Sequence, residues 1–234
     1  VGQFIDIAAV ALSRAERSVD YAAHNISNLG TAGFKRKVDF IDTVNSMDDD
    51  QSLSQASRVD FTPGHLVVTE NPYDISIGGK GFFVVRSSDQ TLYTRNGQFH
   101  RDDVGRLIDS EGRALQVEGG GDLALKQAGF QITSDGTVME DGQAIARIGI
   151  ADFDDKTVLE PISGTMFAAA ADLAHVVDAP TLRQGAVEGS NVSTGDEMVK
   201  MMDALRRAET GQRLIQVYDD LLGRALSTFG GTSG

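Results

Sequence analysis

The chain has 234 residues, 41% hydrophobic and 24% charged, which is an ordinary globular composition with enough length for one sizeable core or two small ones. A formal charge of -13 and a pI near 4.6 argue against nucleic acid as a partner, because phosphate recognition needs a cationic face. The absence of cysteine excludes disulfides, thiolate metal sites and cysteine nucleophiles together.

Residues 1–35 open with a helical pattern. Ala8, Leu12, Ala15, Val19, Ala22 and Ile26 recur at alternating steps of four and three, a narrow stripe that suits a partner helix. The stripe ends in Asn28-Leu29-Gly30, and Gly30 or Gly33 can supply the positive φ that closes a helix. The apolar run Ile7 to Leu12 gives way to Arg14, Glu16 and Arg17, and nowhere does the chain approach the roughly 20 apolar residues of a spanning helix, so no direct membrane insertion is expected. The opening also lacks the basic start and small-residue cleavage site of a secretory signal, so export would need another route. Val1 is not an initiator methionine, and one or more residues are expected to precede it.

Residues 36–58 read as a connecting loop segment containing Asp48-Asp49-Asp50. From 59 to 165 the signals are those of a central β domain. Gly81-Phe82-Phe83-Val84-Val85 reads as a buried strand, Leu92-Tyr93-Thr94 followed by Asn96-Gly97 as a strand entering a tight turn, and Asp135-Gly136 and Asp141-Gly142 as further turns. A return segment, 166–192, leads to a second helix within 193–234. Ser193 or Thr194 can cap it, and Asp196 and Glu197 complement its positive end. Met198, Met201, Leu205, Ala208, Ile215 and Leu222 fall near one face over a segment on the order of 45 Å, longer than a small domain covers with its own mass. The fold class expected is α+β, with long terminal helices paired as a coiled-coil-like stem and a central all-β domain.

Motifs for chemistry are weak throughout. Gly78-Gly79-Lys80-Gly81 lacks the spacing and the following Ser or Thr of a phosphate loop. Neither Asp48-Asp49-Asp50 nor the group Asp152, Asp154 and Asp155 alternates like a calcium loop. His24, His65, His100 and His175 show no zinc-ligand spacing, and no serine sits in a Gly-x-Ser-x-Gly elbow. Asp102, Asp103, Asp109 and Glu111 suit a glycosidase pair in kind, but turn chemistry accounts for carboxylates beside glycine. No catalytic, cofactor or metal site is expected, and the chain reads as no enzyme.

Three stretches resemble the flagellar rod and hook family of axial proteins. His24-Asn25-Ile26-Ser27-Asn28-Leu29-Gly30-Thr31-Ala32-Gly33-Phe34-Lys35 is similar to its N-terminal signature, with Asn25, Asn28, Gly33, Phe34 and Lys35 as the matching positions and alanine at 32 where many relatives have proline. Gly81, Phe82 and Phe83, with Tyr93-Thr94-Arg95-Asn96-Gly97-Gln98-Phe99, resemble its strand-rich segment. Gly185-Ala186-Val187-Glu188-Gly189-Ser190-Asn191-Val192 resembles the segment before its last helix. The resemblance implies a structural subunit of the basal-body rod, polymerising through its terminal helices into the axial drive shaft and export tube. Implied partners are other rod subunits, copies of itself in a helical tube, and the flagellar export apparatus, with a periplasmic rod location reached through the flagellar type III channel. The short connection between Lys37 and Phe61 favours a proximal-rod member over a distal-rod or hook-type subunit. Outside the family, a carbohydrate-binding β protein would leave the helical seams idle, and a soluble adaptor with a self-contained coiled coil would form no polymer.

Overall fold

The computed structural model describes residues 2–39, 57–87, 90–127 and 129–230. The chain divides into two compact units: Val1–Ser27, Lys37–Arg58 and Ser193–Gly234 form the first, and Asn28–Arg36 with Val59–Val192 form the second.

The first unit is built on two helices, α1 (Gly2–Ser27) and α2 (Thr194–Gly230). Asp196 and Glu197 stand in the first turn of α2, where carboxylates complement the exposed N–H groups. The two helices meet through small side chains placed once per heptad. Ala8, Ala15 and Ala22 are the buried positions of the α1 stripe, and Ala204 is buried on α2. A Cβ built on Gly211 would lie 3.7 Å from the Leu12 Cβ, so the backbones approach closely there.

The second unit is β throughout. Its centre is the strand Phe82–Ser87, which pairs antiparallel with Gln90–Thr94, with Ala114–Leu115 and with Ile150–Asp152. The sheet extends through Met166–Ala168 to Glu160–Ser163 on one side. Alternation along the strand sends Phe83 and Val85 into a large cluster with Ile75, Leu107, Leu115 and Ile150. Phe82 goes to the other face, where Tyr93, Phe153 and Phe167 make a second cluster with edge-on ring contacts of 4.9 to 6.1 Å. Burial on both faces is why the sequence there is continuously apolar. The strands Thr137–Glu140 and Gln143–Arg147 are joined through Asp141 and Gly142, both at positive φ (48° and 76°), the conformation that a two-residue hairpin of matching twist demands.

The fold class expected from the sequence needs correction. Among the described residues there are two α-helices against eighteen short strands in several sheets, so the molecule is mostly β, and its helices are not a long paired stem. Helical periodicity reports that a face is apolar, but not which partner covers it. On α2 the large apolar residues Met198 and Leu205 are 52% and 53% exposed, while the contact with α1 uses the neighbouring face and its small residues. Val217 and Leu221, farther along α2, are exposed as well.

Candidate functional site

The α1 stripe lies as a graded surface: Ala8, Ala15 and Ala22 are buried, and Leu12, Val19 and Ile26 are half-buried. On α2 Met201, Ala208 and Ile215 are half-buried, Met198 and Leu205 are exposed, and the Leu222 side chain lies outside the described residues. The expected α2 seam is therefore two surfaces. One lies beside the Ala204–Gly211 contact with α1, and the other is open.

Asn25 fixes the end of α1. Fully buried, it donates from Nδ2 to the Lys37 carbonyl at 2.8 Å and to Glu197 Oε2 at 3.0 Å, and its Oδ1 accepts from the Lys37 N–H at 2.9 Å. One amide thus joins α1, the segment after it and the first turn of α2. Glu197, also buried, accepts from Lys200 Nζ at 2.8 Å.

The remaining signature residues converge within the second unit. Asn28 closes the helix exit by accepting from the Thr31 N–H at its carbonyl and the Thr31 hydroxyl at Oδ1. Gly33 (φ 69°) lies against Asn96; a Cβ there would stand 2.2 Å from the Asn96 nitrogen. Gly97 would place a Cβ 1.6 Å from the Ile75 carbonyl oxygen, and the Ile75 N–H donates to the Gly97 carbonyl. Phe34 is buried. Asn191 accepts from the Arg36 N–H at Oδ1 and donates to the carbonyls of Asp60 and Thr62 from Nδ2. Buried Ser190 accepts from the Val192 N–H at its hydroxyl.

At the centre is a buried charge cluster around Glu188, which is 4% exposed. Glu188 accepts from Lys35 Nζ at 2.6 Å, from Arg95 Nη1 at 3.1 Å and from the Gly64 N–H at 2.9 Å. Lys35 also donates to the Thr62 carbonyl, and Arg95 donates to the Gly79 carbonyl while lying 5.2 Å over the Phe82 ring. Burial pushes the pKa of Lys35 and of Arg95 down, and the carboxylate of Glu188 opposes that shift in both. The three motifs thus meet at one carboxylate, with Lys35 from the first, Arg95 from the second and Glu188 from the third. Glu188 and Arg95 were not singled out as site residues. The signal was present, because a charged residue directly after Ala186-Val187 in a buried strand must find a partner.

The candidate catalytic residues are engaged in turns. Asp102 and Asp109 occupy equivalent positions in two Asp-x-x-Gly-Arg loops. Each accepts from the backbone N–H two and four residues on at Oδ1, and from the Arg Nε at Oδ2, at 2.8 Å from Arg106 and 2.7 Å from Arg113. Asp155 caps the short helix Lys156–Val158, and the Gly78–Gly81 loop serves Arg95 through the Gly79 carbonyl. Asp48-Asp49-Asp50 lies outside the described residues. Among the described residues no group of three or more His, Asp and Glu side chains is placed to hold a metal ion, and no helix is long and apolar enough to cross a membrane.

Residues 76–143 match the family model of the flagellar hook protein FlgE/F/G D1 domain, and residues 183–228 match that of the flagellar basal body rod FlgEFG protein C-terminal region. Over these two segments the chain is similar to the flagellar rod and hook proteins. It is similar to the flagellar basal-body rod protein FlgF of Caulobacter vibrioides, 28% identical over 228 residues that cover 92% of each chain. The FlgF of Escherichia coli is 29% identical over 227 residues, 87% of this chain and 88% of its own. The FlgG of Agrobacterium fabrum is 26% identical, and there the same 92% of this chain is spread over 259 aligned positions. FlgG therefore carries residues that have no counterpart here, and the FlgF length fits better.

Proposed function

We propose that this chain is a structural subunit of the flagellar basal-body rod, FlgF-like and of the proximal rod, and not an enzyme. What carries the assignment is the agreement of two family models and full-length rod-protein relatives with the motif residues that close around Glu188. Of the residues that suggested chemistry, Asp102 and Asp109 are held in turns by the arginines four residues on and the Gly79 carbonyl accepts from buried Arg95, which suits a part that holds its shape under load.

The same reading extends to assembly with other rod subunits and further copies through the terminal helices. In its support, α2 leaves Met198, Met202 and Leu205 exposed, an apolar face whose burial is worth about 1.5–3 kcal/mol per large side chain. A contact between two different surfaces that does not close generates an open helical array, the form a drive shaft and export tube require. Delivery through the flagellar type III channel to the periplasmic section of the rod, with the export apparatus as a transient partner, follows as part of the same proposal. A chain without cysteine has no disulfide to obstruct passage in an unfolded state. The test is a deletion strain complemented with an epitope-tagged chain. The tagged protein should copurify with basal bodies and restore swimming. Swimming that persists without the protein, with no signal in basal bodies, would refute the assignment.

A further inference from the structure

α1 carries a second seam. Ala9, Ser13, Glu16, Asp20, Ala23 and Ser27 follow one another at alternating steps of four and three, and all six are exposed. Residues at this spacing share one face of the helix, and its small side chains permit close approach by another backbone. At its centre are Glu16 and Asp20, i and i+4, neither with an ion pair among the described residues.

On the other side of α1 lies the complement. A groove of about 760 Å³ runs between α1 and α2, floored by Ala8, Ala15, Ala22, Ala204 and Gly211. Its rim is basic, with Arg14, Lys200, Arg206 and Arg207 outnumbering Glu197 and Asp203 in a chain whose net charge is -13. Lys200 is paired with Glu197, but Arg14, Arg206 and Arg207 have no ion-pair partner among the described residues. The groove and the second seam share no residue.

We infer that the groove receives the acidic outer face of α1 from a second copy of this chain, a head-to-tail contact that rests on the rod-subunit reading above. Small residues on both surfaces let the helices nest, and Glu16 and Asp20 then come opposite Arg206 and Arg207. Because the two surfaces differ, each bound copy offers a fresh groove, and the contact propagates without closing.

Charge reversal tests it in full-length chains. One variant carries Glu16→Arg and Asp20→Arg, the other Arg206→Glu and Arg207→Glu. All four positions are exposed, so each monomer should melt like the parent. Expressed alone in a deletion strain, either variant should enter basal bodies on the order of tenfold less, since like charges then face each other across the contact. Expressed together, they should restore incorporation, because reversed seam meets reversed groove. Normal incorporation of either variant alone, or no restoration by the pair, overturns the inference. If a reversed monomer melts early, Glu16→Gln with Asp20→Asn takes its place and should reduce incorporation to a lesser degree; no reduction again overturns the contact. Absence of the unmodified chain from basal bodies would instead refute the rod reading and the inference with it.

Discussion

Replacing Glu188 by alanine removes the one carboxylate that two buried cations share. Lys35 and Arg95 would stay in place, with side chains 1% and 4% exposed, and three hydrogen bonds would lose their acceptor. Stripping one partner from a buried pair typically costs about 3–5 kcal/mol, because the charge left behind is desolvated without compensation. Whole-domain stabilities are only about 5–15 kcal/mol, so the loss takes a large share. With a urea slope near 2 kcal/mol per molar, the unfolding midpoint should fall by about 1.5–2.5 M. Glu188→Gln should lose less, since the amide oxygen still accepts from the Gly64 N–H while its NH2 faces a cation. Pairing Lys35→Ala with Glu188→Ala should cost less than the sum of the two, by about 0.5–3 kcal/mol. Urea melts of the parent and the four full-length variants, followed by far-UV circular dichroism, decide it. A midpoint shift under about 0.3 M for Glu188→Ala, or strict additivity in the cycle, would show that the cluster does not hold the motifs together.

Gly97→Ala should be strongly destabilising, about 2 kcal/mol or more in a thermal melt, because the new Cβ would stand 1.6 Å from the Ile75 carbonyl oxygen and backbone must move. Leu205→Asp and Ala204→Asp are adjacent substitutions with opposite expectations for the monomer. The first, on a 53% exposed site, should change stability by less than about 0.5 kcal/mol, whereas the second buries a carboxylate against α1 and should cost about 2 kcal/mol or more, read as a lowered melting temperature. Leu205→Asp should nevertheless lower incorporation into basal bodies; full incorporation would remove the open α2 face from the assembly surface. The Asp135 carboxyl accepts from the Thr133 and Thr137 hydroxyls, which hold its pKa near about 2 against an ordinary 3.8. Its depressed value means that its contribution to stability is complete above pH 3.8 and is lost as pH falls through about 2. Carbon-detected NMR titration should show that midpoint, and Thr133→Val should move it upward.

Local signals were legible wherever one stretch of chain decides its own conformation. The unbroken apolar run at Phe82–Val85 announced a buried strand, which the structure buries on both faces, and Asp141-Gly142 announced a turn, which the structure makes a two-residue hairpin with positive φ at both residues. The α1 stripe was legible for the same reason, its period being fixed by helix geometry. The meeting of Lys35, Arg95 and Glu188 was not, since the residues are separated by 60 and 93 positions and no local rule pairs them.

The α2 face shows a different limit. Hydropathy favours large residues, so Met198 and Leu205 seemed to mark the seam, yet the chain placed Glu197, Ala204 and Gly211 inside. Helices whose backbones approach closely leave no room for long side chains, and contact then rests on alanine and glycine, which carry little hydrophobic weight individually. Glu197 is tolerated there because Asn25 and Lys200 both donate to it. The large residues are left over on the outside for the same reason that the small ones are inside. A helix pair that packs through alanines leaves its methionines and leucines on another surface, and the rod-subunit reading proposed above assigns the driving force for assembly to those exposed residues.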